Sequence, residues 1–160
     1  MPGASRSERS DAPATPVAVD SRDPGGDHRS VSRDGTALDD PATFDRLVGE
    51  ALDDLPEEFA RRLENVAVLV EDEPSPGLLR RMGLRPGRDE LYGLYEGVPL
   101  PARPWDYAGR LPDRITLFRG PLLRAARTPE RLRREITRTV VHEVAHFFGM
   151  DDHAIRRLGF

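Results

Sequence analysis

Three residues in the last fifth of the chain have the types and spacing needed for metal chemistry. His142 and His146 stand four residues apart, with Glu143 directly after the first histidine. On an α-helix, residues four apart project from one face about one turn apart, so both imidazoles can bind one zinc ion. In this HExxH pattern the glutamate is the general base for a metal-activated water. The pattern therefore predicts a zinc-dependent metallopeptidase.

Gly149 indicates where the chain turns back to supply a third ligand. A glycine at this point ends the helix and lets the backbone reverse, so that a residue six positions after the second histidine reaches the metal. Asp152 holds that position, and a carboxylate oxygen is an ordinary zinc ligand. His153 and Asp151 flank it and are the alternative third ligands. The predicted metal ligands are His142, His146 and Asp152, and the predicted catalytic residue is Glu143.

The residues before the motif predict the helix that carries it. Thr128 can cap the helix, Pro129 suits its first position and Glu130 favours its dipole. Apolar residues then recur every fourth position, as expected for a buried helix face: Leu132, Ile136, Val140, Val144 and Phe148.

A plainer interpretation accounts for the same residues one at a time. The two histidines would lie on a half-buried helix, Glu143 would be solvated, and Asp151 or Asp152 would be the N-cap of a short helix that follows. This interpretation does not account for the joint spacing of the histidines, the glycine and the aspartate, and short motifs do occur by chance. Both interpretations stay open from the sequence.

The segment 137–152 resembles the C-terminal part of small bacterial zincin-like metallopeptidases, a family also called minimal metzincins. The resemblance covers residues 41–160, and its HExxHxxGxxD run is its most specific part. Further blocks similar to the family lie at 44–55, 65–72, 91–100 and 112–119. The resemblance implies zinc (Zn²⁺) held by the two histidines, Glu143 as catalytic acid and base, and Asp152 in place of the third histidine of larger metzincins.

One departure concerns the chain after the third ligand. Larger metzincins continue into a C-terminal subdomain with a methionine turn beneath the zinc, whereas this sequence stops at Phe160. We expect a fold without that subdomain, whose peptidase activity is weak or depends on a partner. Met150 lies inside the turn itself, where we expect it to pack rather than to replace the methionine turn.

Composition narrows the remaining possibilities. There is no cysteine, so any zinc site must use histidine and carboxylate. The net charge of -4 argues against a nucleic-acid partner. The first 20 residues have no apolar core of signal-peptide length, and no apolar run is long enough to span a membrane. We therefore expect a cytoplasmic protein that acts on a peptide or protein; the sequence does not indicate its oligomeric state.

The chain divides into a tail and one domain. Residues 1–40 are rich in Ser, Asp, Pro, Gly and Arg, and we expect a disordered tail. Residues 41–160 are expected to form a zincin-like α+β domain, in which a small mixed sheet packs against the motif helix. Helices are predicted at 41–55, 56–64 and 121–127, strands at 66–70, 91–97 and 114–119, and an exposed loop at 72–90.

Two of these strands carry more specific expectations. Strand 66–70 is an unbroken aliphatic run, which favours burial on both faces. Strand 114–119 is the candidate edge for pairing with an extended substrate, because the chain reaches the motif helix soon after it. An alternative from another class is a non-enzymatic zinc-binding protein that acts through an interaction surface. A closed shell of four protein ligands would favour it, since catalysis needs an open position.

Overall fold

Four strands and six α-helices follow one another in the computed structural model, which describes residues 16–19, 38–104 and 112–158. The strands are β1 (Pro16–Val19), β2 (Val66–Glu71), β3 (Glu90–Glu96) and β4 (Asp113–Phe118). The helices are α1 (Pro41–Asp53), α2 (Glu57–Ala60), α3 (Pro76–Arg81), α4 (Arg119–Ala125), α5 (Pro129–Phe147) and α6 (Asp152–Arg157). Short 3-10 turns occupy Arg61–Leu63 and Leu100–Ala102. This arrangement confirms the predicted α+β class.

The strands form one mixed sheet in the order β1-β3-β4-β2. β2 runs parallel to β4, whereas β3 is antiparallel to both of its neighbours, β4 and β1. Because β4 pairs on both sides, the expectation that 114–119 forms the substrate edge is wrong. The strand order depends on pairings between distant segments, which the succession of strands along the chain does not reveal.

β2 differs from its prediction for a related reason. It pairs only with β4 and so lies at an edge of the sheet, among the described strands. Its residues are half-buried or exposed, and Leu69 keeps 42% of its surface accessible. The expectation of burial on both faces is therefore wrong.

The two long helices begin where their caps predict. The Asp40 carboxylate accepts a hydrogen bond from the Thr43 backbone N–H at 2.9 Å, and α1 starts at the proline between them. The Thr128 hydroxyl accepts from the Arg131 N–H at 3.3 Å, and α5 also starts at a proline. Both helices bury their apolar faces in one core together with the sheet. Its fully enclosed side chains include Phe44, Ile115, Leu117, Leu122, Leu132, Ile136 and Phe147.

Two segments hold elements that were not predicted. Within 72–90, expected as a loop, α3 forms with the Ser75 hydroxyl accepting from the Leu78 N–H at 3.1 Å. Within 1–40, expected as a disordered tail, residues 16–19 form β1. Residues 38–40 lead into α1, and the remainder of that tail, 1–15 and 20–37, lies outside the described residues. None of the helices described has both the length and the apolar character required to cross a bilayer.

Candidate metal centre

The end of α5 turns as the glycine predicts. Gly149 adopts φ +85°, its N–H donates to the His146 carbonyl at 2.9 Å, and the Met150 N–H donates to the Ala145 carbonyl at 3.0 Å. This pair of bonds is the Schellman motif, which closes a helix through a left-handed residue. The turn leads directly into α6, which begins at Asp152. The predicted ligands therefore lie on two helices, α5 and α6, which are joined by one short turn.

The three predicted ligands converge on a single point. Asp152 Oδ1 lies 3.2 Å from His142 Nε2 and 3.2 Å from His146 Nε2. One ligand atom from each residue fits within a 4.8 Å cluster. Zinc–ligand bonds of about 2.0–2.1 Å in a tetrahedron would place neighbouring ligand atoms about 3.3 Å apart. The observed spacing therefore fits a zinc ion.

Hydrogen bonding prepares His146 for that role. Its Nδ1 lies 2.9 Å from the Met150 carbonyl oxygen, which can only accept, so Nδ1 carries the proton. Its Nε2 then offers a lone pair. This atom is buried and has no hydrogen-bond partner among the described residues, although Asp152 Oδ1 lies 3.2 Å from it. A buried nitrogen with a free lone pair and no hydrogen-bond partner in the described structure fits the role of a metal ligand.

The alternatives for the third ligand lie elsewhere. Asp151 is the N-cap of α6, and its Oδ1 accepts from the Ala154 N–H at 2.7 Å. His153 is exposed and is not in the cluster. The plainer interpretation required Asp151 or Asp152 as a helix cap. Since Asp151 does this, Asp152 is left to face the histidines.

Glu143 is fully buried, so its expected solvation under the plainer interpretation is wrong. Its Oε2 accepts from the Tyr95 backbone N–H at 2.7 Å, whereas Oε1 has no hydrogen-bond partner in the part of the chain that the structure describes. Burial raises the pKa of Glu143 to about 8; the Tyr95 N–H lowers that pKa and the negative charge of Asp152 raises it. The carboxyl group is thus held at one oxygen and available at the other.

His142 is kept in the form that binds metal. Burial, then the neighbouring His146, lower the pKa of His142, while Asp152 acts in the opposite direction. A lowered pKa favours the neutral imidazole, which has the lone pair that a metal requires.

Strand β3 contributes contacts that the sequence did not predict. Gly93 lies so close to α5 that a Cβ atom there would be 2.6 Å from Thr139 Cγ2 and 3.1 Å from Glu143 Cγ. Two residues later comes the N–H of Tyr95 that holds Glu143. A glycine inside an apolar strand is the only signal of this approach, because it often marks a close neighbouring element.

A buried polar cluster supports the same strand. The Tyr95 hydroxyl donates to Asp113 Oδ2 at 2.7 Å, and Arg103 forms an ion pair with this carboxylate. The Arg103 guanidinium lies over the Phe147 ring, 5.0 Å from its centroid. Burial, then the bond to Asp113, raise the pKa of Tyr95, so the phenol stays protonated. The cluster ties β3, β4 and the end of α5 together beside the metal ligands.

A mixed sheet with a helix that bears HExxH, a glycine turn and a following carboxylate is the architecture of zincin-like proteins. The family model described as zincin-like metallopeptidase matches residues 63–160. This match covers more than half of the chain, which belongs to that family. Comparison with curated proteins gives no match. The family match starts after β1, α1 and α2, so these three elements lie outside it.

Proposed function

We propose that this protein is a zinc-dependent peptidase whose metal is held by His142, His146 and Asp152. The observation that carries the proposal is the convergence of both Nε2 atoms on one aspartate oxygen, each at 3.2 Å. The Nε2 of His146 is also buried and has no hydrogen-bond partner among the residues described. Membership of a metallopeptidase family supports the same conclusion. The substrate is a peptide or protein.

The chemistry divides between metal and protein. Zinc, when bound, supplies Lewis acidity that activates water and polarises the scissile carbonyl. Glu143 takes a proton from the attacking water and returns it to the leaving amine. Burial raises the pKa of this carboxyl in the metal-free protein, and the charge of a bound Zn²⁺ would lower it toward the ionised form that accepts a proton. The Tyr95 N–H fixes the position of its carboxylate.

An extended substrate has one natural place to pair. In zincins the strand beside the active-site helix pairs with the substrate, and β3 is the strand that holds Glu143. We therefore assign peptide binding to the edge of β3 that faces away from β4. Pairing through backbone groups would orient the scissile bond.

The first experiment separates binding from catalysis. Glu143→Gln keeps the size of the side chain and a carbonyl acceptor for the Tyr95 N–H, but removes the base. We expect zinc near one ion per chain and peptide hydrolysis reduced by a factor on the order of 100 or more. Glu130→Gln makes the same change at an exposed position of α5 and should alter neither. Cleavage by Glu143→Gln at the parental rate would overturn the mechanism.

The second experiment tests the ligand set. Asp152→Ala should lose zinc affinity and hydrolysis together, because two histidines hold zinc weakly. His153→Ala, its neighbour on the exposed face, should retain both. Equal zinc contents in the two variants by elemental analysis would remove Asp152 from the site. Stoichiometric zinc in the parent without hydrolysis of any peptide would favour the alternative, a non-enzymatic zinc-binding protein.

A further inference from the structure

The outer edge of β3 already carries a strand of this chain. β1 runs antiparallel to β3, with Pro16 opposite Leu94 and Val19 opposite Glu90. An irregularity in the pairing falls between positions 16 and 18. Since β4 pairs with the other side of β3, β1 lies on the side that would otherwise be open.

This edge is also the one at which Glu143 lies. Successive residues of an antiparallel strand direct their N–H groups to opposite sides. The Tyr95 N–H donates to Glu143 at 2.7 Å, so it points away from β4, toward the side on which β1 pairs. The pairing of β1 reaches Leu94, the residue directly before Tyr95. The first residue of β1, Pro16, therefore pairs with the residue next to the one that holds the general base.

We propose that Pro16–Val19 occupies, within the same molecule, the edge of β3 where an extended peptide would bind, and so restricts access to the site. The inhibitory consequence rests on the proposed function, whereas the occupancy of the edge does not. β1 lies outside the residues matched by the family, so this device is a feature of this chain rather than of the matched region.

How strongly β1 competes with a free peptide depends on its covalent attachment to the chain and on its length. A segment of the same chain competes at an effective concentration on the order of millimolar, so a free peptide with weak backbone pairing is largely excluded. β1 is only four residues long, and its first residue is a proline that has no N–H to donate. The segment can therefore be displaced, which is what regulation of access requires.

Proline substitution tests the pairing without removing the segment. Ala18→Pro in the full chain removes one N–H from β1 and should release it. Ala4→Pro, outside β1, is the matched control. We expect amide hydrogen exchange at Leu91 and Gly93, whose N–H groups lie on the same side of β3 as that of Tyr95, to become at least tenfold faster in Ala18→Pro only. Unchanged exchange at these amides would overturn the proposal. A double variant, Val17→Gly/Val19→Gly, weakens the strand by another route and should give the same result.

Peptide binding tests the competition directly. The probe is a fluorescein-labelled synthetic peptide with the sequence of residues 12–23, and the protein is zinc-loaded full chain carrying Glu143→Gln, so that the probe is not cleaved. Adding Ala18→Pro should tighten binding at least tenfold by fluorescence polarisation. Equal affinity with and without Ala18→Pro would show that β1 does not cover the edge.

Hydrolysis then distinguishes the two proposals. With the native glutamate, Ala18→Pro should cleave unstructured peptides several-fold faster than the parent and the Ala4→Pro control. If nothing is cleaved but exchange and probe binding change as expected, the peptidase function fails and the occupied edge stands. If the parent, Ala18→Pro and Ala4→Pro cleave at one rate and neither exchange nor probe binding changes, the peptidase function is supported and the occupation of the β3 edge by β1 is refuted.

Discussion

The two oxygens of Glu143 have opposite environments. Oε2 accepts a hydrogen bond from the Tyr95 N–H, while Oε1 is buried and has no partner within 38–104 and 112–158 or in β1. An unsatisfied buried polar atom costs about 1–3 kcal/mol of stability, and such costs concentrate at functional sites. His146 Nε2 is likewise buried without a hydrogen-bond partner among the described residues, and it lies 3.2 Å from Asp152 Oδ1. Both costs are removed if a cation and a water fill the site.

A pH prediction follows for the metal-free protein. The folded pKa of Glu143, about 8, exceeds its ordinary value of 4.5, so between these values the folded state keeps a proton that the unfolded chain has lost. The free energy of unfolding therefore falls as pH rises through this window, by up to about 1.4 kcal/mol per pH unit. Glu143→Gln should show a shallower decline between pH 5 and 8, measured by urea denaturation with a chelator.

The lowered pKa of His142 has the opposite effect on how the free energy of unfolding changes with pH. Below its ordinary value of 6.5 the unfolded chain binds the proton that the folded histidine refuses, so this group makes stability rise with pH. The histidine is present in parent and variant, and the difference between them isolates the glutamate. Identical slopes in the two proteins would contradict a raised pKa for Glu143.

For single residues, the sequence predicts the candidate metal ligands but not the backbone group that holds Glu143. His142, Glu143 and His146 lie on α5, and Asp152 begins α6 one short turn later, so that spacing along the chain determines their geometry. The Tyr95 N–H comes from a strand 48 residues earlier. Every residue but proline has a backbone N–H, so nothing in the sequence distinguishes the one that is used.

Strand β3 and helix α5 approach most closely at Gly93. A Cβ atom in Gly93→Ala would meet Thr139 Cγ2 at 2.6 Å, so we expect a loss of about 1–3 kcal/mol in the free energy of unfolding. Thr139→Ser removes that methyl group but keeps the hydroxyl, which donates to the Glu135 carbonyl at 2.8 Å. The double variant should recover part of the loss, as measured by urea denaturation in a double-mutant cycle. Strictly additive effects would show that this contact is not the cause.

The turn after α5 gives a second prediction between elements. Gly149→Ala places a side chain at φ +85°, with its Cβ 2.9 Å from Pro101. We expect a loss of about 1–2 kcal/mol, together with weaker zinc binding, because the shifted turn moves Asp152. Gly83→Ala provides the control: its φ is +74°, but its Cβ would lie in open space away from the site.

The measurements are the free energy of unfolding and zinc affinity. Gly83→Ala should lose stability through the same backbone strain, without the contact with Pro101 and without any change in zinc affinity, since the metal ligands are untouched. A parallel loss of zinc affinity in both variants would mean that general destabilisation, rather than the position of the turn, controls the metal.

Element boundaries were predictable where caps and glycines act locally. The starts of α1 and α5 and the stop at Gly149 all follow from residues within one turn. The roles of the strands were not predictable in the same way. The sheet places β4 between β3 and β2, and it adds β1 from a segment whose composition suggested no element. Such pairings depend on distant partners, which periodicity within a strand does not identify.

Across the whole molecule, the site joins elements with different supports. α5 is anchored in the main core, whereas α6 is a single short helix that buries Ile155 and presents Asp152 to the histidines. The polar cluster of Tyr95, Asp113 and Arg103 fixes the sheet beside them. A metal bound by the three ligands would link the end of α5 to α6 and extend the core's stability to the last described helix.

Zinc should therefore stabilise the whole fold by linkage. A ligand that binds only the folded state at a free concentration 1,000 times its Kd adds about 4 kcal/mol, which for a domain of this size raises Tm on the order of 15 °C. We expect this rise when zinc is restored to the chelated parent, as measured by thermal denaturation. His142→Ala should show little of it under the same conditions, because the remaining two ligands bind weakly. His153→Ala, with its exposed side chain outside the cluster, should match the parent. An equal rise in His142→Ala would mean that zinc stabilises the protein from somewhere other than this cluster, and the ligand assignment would fall with it.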